Sequence, residues 1–130
     1  MTRPLKILCI DDDPDIRTIA VMALGLDSAM TIRAAASGAE AVALLRSDAW
    51  RPDGILLDVM MPGMDGPATL AAIRALGGYA DVSVIFMTAR ARQADLDGYT
   101  SLGANGVIVK PFDPMHLAED VRTLVDGGRC

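Results

Sequence analysis

The chain has 130 residues, with twelve Lys and Arg against seventeen Asp and Glu and a net charge of −5. One hydrophobic core is expected at this length, and 52% hydrophobic against 22% charged residues excludes a disordered chain. The acidic balance argues against a basic nucleic-acid face, two cysteines make no disulfide framework, and no apolar run nears the ~18 residues of a membrane span.

Five short apolar runs are spaced at about 25 residues: Leu5 to Ile10, Met30 to Ala34, Gly54 to Leu57, Val82 to Met87 and Val107 to Val109. Each is rich in Ile, Val and Leu and bounded by Asp, Gly or Pro, which reads as a buried strand. Helical patterns fill the gaps. Asp13 and Pro14 open the first, with Ile16, Ile19, Ala20, Ala23 and Leu24 as its stripe. Ser37 and Glu40 form a capping-box pattern before Ala41, Leu44 and Leu45. Asp65 opens the third, with Leu70, Ile73 and Leu76. Arg92 to Leu102 is a weaker helix closed by Gly103. Asp113 and Pro114 precede Leu117, Val121, Leu124 and Val125, and Gly127-Gly128 ends the last helix. Strands alternating with helices predict an α/β fold, a parallel sheet with helices on both faces. The continuous apolar strands fit a sheet covered on both sides.

In such a sheet, ligands bind beyond the carboxyl ends of the strands. Strand one ends in Asp11-Asp12-Asp13, strand three in Asp58, strand four in Thr88 and strand five in Lys110-Pro111. Clustered carboxylates repel, so a cation is expected among them. Mg²⁺ suits oxygen ligands and bridges to phosphate. One carboxylate can then attack phosphorus, while metal, ammonium and hydroxyl stabilise the charge on the phosphoryl oxygens. The set points to aspartyl phosphorylation.

Four segments also carry a family resemblance. Ile7 to Arg17, Leu56 to Gly66, Phe86 to Ala89 and Val109 to Phe112 resemble, in order and spacing, the signatures of the response-regulator receiver domain. The resemblance runs from about Leu5 to Val125. It implies a doubly wound, flavodoxin-like five-stranded sheet of order 2-1-3-4-5, an architecture for which a chemotaxis regulator is the general illustration. It implies Asp58 as phospho-acceptor, with Mg²⁺ held by Asp12, Asp58 and the backbone carbonyl of Met60, and by Asp11 through water. Thr88 and Lys110 would contact the phosphoryl group, and the Lys110-Pro111 bond is often cis in the family. The donor implied is a sensor histidine kinase or histidine phosphotransfer protein, docking near Ile16 and Arg17. Met60 and Arg90 border the attack path and would tune the phosphoryl lifetime. Output through the fourth helix, fifth strand and fifth helix, including a homodimer there, is a family-based expectation.

The sequence departs from the pattern at Val107, where switching members carry Tyr or Phe, so an aromatic rotamer change at that position cannot report on Thr88. Simpler roles stand beside the sharp ones. Asp13 reads as a helix cap, Gly63 and Gly66 as loop geometry, and His116 as a helix-surface residue. Two alternative functions remain. One is a haloacid-dehalogenase-type phosphatase with Asp11 as nucleophile and Asp13 as acid, although the acidic pair expected after Lys110 is missing. The other is a receiver-like adaptor that is never phosphorylated. The expectation is one cytoplasmic receiver domain over residues 1–130, with a core of about 5–125. It would bind an unknown downstream protein, contact neither nucleic acid nor membrane, and catalyse only its own phosphoryl transfer.

Overall fold

The computed structural model describes residues 3–47 and 49–127. Its strands are β1 (Leu5–Ile10), β2 (Met30–Ala35), β3 (Gly54–Asp58), β4 (Ser83–Thr88) and β5 (Gly106–Val109). They alternate with α1 (Pro14–Leu24), α2 (Gly38–Arg46), α3 (Gly66–Arg74), α4 (Gln93–Ser101) and α5 (Leu117–Gly127). All paired strands run parallel, in the order β2-β1-β3-β4-β5. This is the parallel α/β sheet expected from the alternation of runs, in the doubly wound order that the family resemblance implies. The register sets Ile10 beside Leu57, Asp58 beside Met87 and Thr88 beside Val109, so the chemistry-bearing ends share one edge.

Side chains alternate across a strand with a period of two. One face therefore takes Ile7, Cys9, Leu56, Ile85, Met87 and Ile108, packed with Ala20 and Leu24 of α1 and Leu117, Val121 and Val125 of α5. The other takes Leu8, Ile10, Ile55, Leu57, Val84 and Phe86, packed with Leu45 of α2, Ile73 of α3 and Tyr99 of α4. Both faces are covered, which is why the strands read as unbroken apolar runs. Among the described residues, no helix is long and apolar enough to cross a membrane.

The helix starts follow local hydrogen bonding. Asp13 accepts from the N–H groups of Asp15 and Ile16. Ser37 accepts from Glu40 N–H, while Glu40 reaches back to Ala36 N–H. Asp65 accepts from Ala68 N–H. The last helix begins later than its sequence signal. Asp113 accepts from Met115 N–H and pairs with the exposed His116 ring, forming a turn over 114–116 before α5 starts at Leu117. Gly127 is the last residue of α5, and Gly128 and Cys130 lie outside the described residues.

At the sheet edge opposite the acidic residues, Arg74 ties α3 to two loops. Its guanidinium donates to the carbonyls of Tyr79, Val82 and Gly103 and to Asn105 Oδ1. Asn105 Oδ1 also accepts from Val84 N–H at the start of β4. Arg74→Met keeps the aliphatic stem and removes every donor, so the part-buried carbonyls of Tyr79 and Val82 lose the guanidinium. We expect a loss of about 2–4 kcal/mol in urea unfolding, from the cost of unsatisfied acceptors.

Candidate functional site

The period of two also decides which strand-end groups meet. Asp11 continues the parity of Cys9, Asp58 that of Leu56 and Lys110 that of Ile108, so all three belong to the α1/α5 side. Lys110 Nζ donates to Asp58 Oδ1 at 3.0 Å and to Asp11 Oδ2 at 3.2 Å. Asp11 is 1% exposed and Asp58 5%. Asp11 is further fixed by Asp13 N–H on its Oδ1 and by Arg17, whose guanidinium donates to its backbone carbonyl. Asp11, Asp12 and Asp58 each present a carboxylate oxygen within 4.8 Å of the others.

The electrostatics follow from this crowding. Burial pushes the Asp58 carboxyl above its ordinary range, and the Asp11 charge adds to that; Lys110 and the N–H of Met60 oppose it. Burial works against the Lys110 ammonium, but its hydrogen bond to Asp58 and the charges of Asp11 and Asp58 outweigh burial and raise its pKa. Three carboxylates against one ammonium leave formally two negative charges uncompensated. An all-oxygen donor set with that deficit fits a hard divalent cation. Beneath the site, burial and then the Asp11 charge push the Cys9 thiol up to about 12, so it is no nucleophile at neutral pH.

Thr88 has the opposite parity, that of Phe86, and belongs to the α4 side. It is buried, accepts from Arg90 N–H at 2.9 Å and lies 3.4 Å from the Tyr99 hydroxyl. The Met60 side chain is 66% exposed on the loop after β3, with its N–H turned to Asp58. Arg90 is exposed and Val107 half-buried. Gly66 lets the start of α3 lie against this loop: a Cβ there would meet Val59 Cα at 2.7 Å and the Asp58 carbonyl at 2.8 Å. Gly63 serves differently, with φ at +73° in the left-handed region. The Lys110-Pro111 peptide is cis.

Next to Lys110, Ile16 and Ile19 of α1 with Ala89, Pro111 and Phe112 line an apolar pocket of about 370 Å³. Ile16 therefore faces an open recess, whereas Arg17 is engaged in holding Asp11. Asp13, the acid in the phosphatase alternative, is occupied as the α1 cap. The sequence reading missed Tyr99. Its only local signal is an aromatic residue in an otherwise polar, weakly patterned helix.

Comparison with known proteins places this arrangement. The family model for the response regulator receiver domain matches residues 7–122, and the chain belongs to that family, the phosphorylation-switch modules of two-component signalling. It is 38% identical over 118 residues to the transcriptional regulatory protein YvrH of Bacillus subtilis, covering 90% of this chain and 47% of that protein. It is 34% identical over 120 residues to the DNA-binding response regulator MtrA of Mycolicibacterium smegmatis, covering 90% and 49%. The chain thus spans about half the length of these curated relatives. In structure it resembles the Vibrio cholerae chemotaxis protein CheY4, with a TM-score of 0.84 and 30% identity over 93% of this chain and 98% of that one.

A buried carboxylate beside a second one costs stability when ionised. The folded pKa of Asp58 lies above its unfolded value, so this cost is absent at low pH and grows as pH rises through that interval. Asp58→Asn removes the charge while Lys110 keeps Asp11 as partner. Without divalent cations at pH 7, we expect this variant to melt higher by roughly 2–6 °C, corresponding to about 1 kcal/mol. The difference between the two proteins shrinks as pH falls towards 4.

Proposed function

We propose that this chain accepts a phosphoryl group on Asp58 from the phosphohistidine of a sensor kinase or phosphotransfer protein. The observation that carries this reading is the buried Asp58–Lys110–Asp11 bridge, joined to Asp12 at one open sheet edge. An Asp58 carboxylate oxygen attacks phosphorus, and the bond from phosphorus to the donor imidazole nitrogen breaks, with the electron pair staying on nitrogen. Lys110 then pairs with the phosphoryl oxygens, and the Thr88 hydroxyl donates to them. Asp12, Asp58, the Met60 carbonyl and, through water, Asp11 would hold Mg²⁺. When bound, the cation supplies charge neutralisation at the transferring oxygens. Met60 and Arg90 flank the approach to Asp58 and set how readily water reaches the phosphoryl group.

The recess at Ile16 gives the donor an apolar seat beside the acceptor, and the neighbouring Arg17 holds the Asp11 carbonyl. The output side is α4, β5 and α5, where the edge strand β5 exposes 46% of Val109. We place a downstream protein, or a second copy of this chain, on that side. One relative is named a transcriptional regulatory protein and another a DNA-binding response regulator, and both are about twice the length of this chain. With a net charge of −5, we assign no nucleic-acid contact to this domain. The chain performs its own phosphoryl transfer and hydrolysis and turns over no separate substrate. We take it to act as one cytoplasmic receiver domain.

Acetyl phosphate with Mg²⁺ should add one phosphoryl group to the intact protein by mass. The adduct should be acid-stable and base-labile, lost on adding EDTA beforehand, and absent from Asp58→Asn. A wild-type protein that neither gains this mass nor binds beryllofluoride would leave the adaptor reading in its place.

Divalent binding to the acidic set requires its carboxylates ionised. Because the Asp58 pKa is raised, Mg²⁺ affinity should begin to fall, as pH is lowered, at a higher pH than an ordinary carboxylate would give. Calorimetric titration in two buffers of different ionisation enthalpy should show proton release growing in step with that loss, and Asp58→Asn should abolish the release.

A further inference from the structure

The Thr88 hydroxyl has one proton to give and already has neighbours. Arg90 N–H donates to it at 2.9 Å, and the Tyr99 hydroxyl lies 3.4 Å away. Among the described residues, the Tyr99 hydroxyl has no other hydrogen-bond partner. The Tyr99 ring stands edge-on to Phe86, with centroids 5.3 Å apart and planes at 75°. Phe86 is paired in register with Val107 of β5. An aromatic ring with a hydroxyl thus reaches β4 from α4, at the level where β5 offers only Val107.

Tyr99 is also the main anchor of its helix. It is the one buried residue of α4, which has no side-chain cap at Arg92 and carries Gly98 in its interior. Gly in a helix interior costs about 1 kcal/mol relative to Ala, and α4 recovers little of it elsewhere.

We infer that Tyr99 is the switch residue of this chain, standing in for the missing aromatic of β5. A phosphoryl group on Asp58 draws the Thr88 hydroxyl away from Tyr99, and α4 is released with it. The inference rests on the acceptor reading of Asp58. A phosphoryl oxygen is a charged acceptor and binds a hydroxyl roughly twice as strongly as a neutral one. The Thr88 side chain therefore swings towards the phosphoryl group and carries its Oγ1 out of reach of the Tyr99 hydroxyl, whichever of the two donates at 3.4 Å. The Tyr99 hydroxyl is left buried without a partner, which the structure relieves by moving the ring and its helix outwards. The output surface is then the face of α4 that Tyr99 vacates, and Tyr99 acts on the site as a positioning residue through Thr88.

The test uses the full chain with Mg²⁺ and beryllofluoride, an unreactive phosphoryl mimic. With ring-labelled tyrosine, the chain gives two sets of NMR signals, from Tyr79 and Tyr99. On beryllofluoride binding, the Tyr99 signals should shift and the Tyr79 signals stay. Amide exchange across 94–101 should quicken roughly 5- to 100-fold, the cost of a buried unpaired hydroxyl. Tyr99→Phe keeps the ring and frees Thr88. It should bind beryllofluoride about two- to tenfold more tightly than wild type, the gain from one competing hydrogen bond removed. Beryllofluoride binding with the Tyr99 signals and α4 exchange unchanged would overturn this inference and leave the acceptor reading standing. Equal affinity of Tyr99→Phe and wild type would do the same. Failure of wild type to bind beryllofluoride, with no phosphoryl adduct, would overturn both. The NMR arm needs no variant, so a misfolded Tyr99→Phe would not block the decision.

Discussion

One ammonium holds two buried carboxylates together. Lys110 bridges Asp11 and Asp58 at 3.2 and 3.0 Å, and without a cation between them those two buried carboxylates would repel. The bridge joins β1, β3 and β5, three strands that are not all neighbours in the sheet. The charges are not balanced by it: two carboxylates already exceed one ammonium, and Asp12 adds a third. The site is therefore built with an electrostatic deficit, and a divalent cation and a phosphoryl group each change the balance in a defined direction. Burial sharpens both responses, because the same charges interact more strongly out of water.

The alternation of side chains divides the site into two functional halves. Asp11, Asp58 and Lys110 share the α1/α5 side, together with the apolar recess at Ile16. Thr88 has the other parity and meets Tyr99 and α4. The acidic set and the apolar recess thus sit on one face, and the Thr88 hydroxyl, the proposed sensor of the phosphoryl group, belongs to the other. A backbone bond from Lys110 N–H to the Thr88 carbonyl, at 2.8 Å, ties the two halves across β4 and β5. In the proposed switch a signal need not travel far: it would pass from one face of β4 to the other through the Thr88 side chain.

The strand ends were readable because Asp, Thr and Lys are abrupt chemical changes after Ile, Val and Leu runs. Their convergence on one edge follows from the parallel sheet. The face each group belongs to was hidden, since a sheet covered on both sides shows no alternation. The helix starts at Asp13, Ser37 and Asp65 were legible from their capping residues, while the Asp113 signal is used up by the turn over 114–116 before α5. Arg74 and Tyr99 escaped for a different reason. Three of the four acceptors of Arg74 are backbone carbonyls, which leave no trace in residue identity. No spacing rule connects Thr88 to Tyr99, because their meeting depends on how α4 lies on the sheet. The loss of the aromatic at Val107 was visible, but its compensation from another element was not.

A switch needs one part that stays and one that gives. Moving a two-state element from 1:99 to 99:1 takes ~5.5 kcal/mol of differential stabilisation, more than one new hydrogen bond at Thr88 can supply. Helices α1 and α5 each bury three residues against β1, β3 and β4, whereas α4 buries Tyr99. In the proposed switch the phosphoryl group works against the least secured helix of the fold, whose uncapped start and interior glycine have already reduced the difference to be overcome. The better-buried half would keep Lys110 and the carboxylates in register through such a cycle. The weakness of α4 is then a requirement of the mechanism: a well-capped, well-buried α4 would hold Tyr99 in place, and Thr88 could turn without any consequence at the surface.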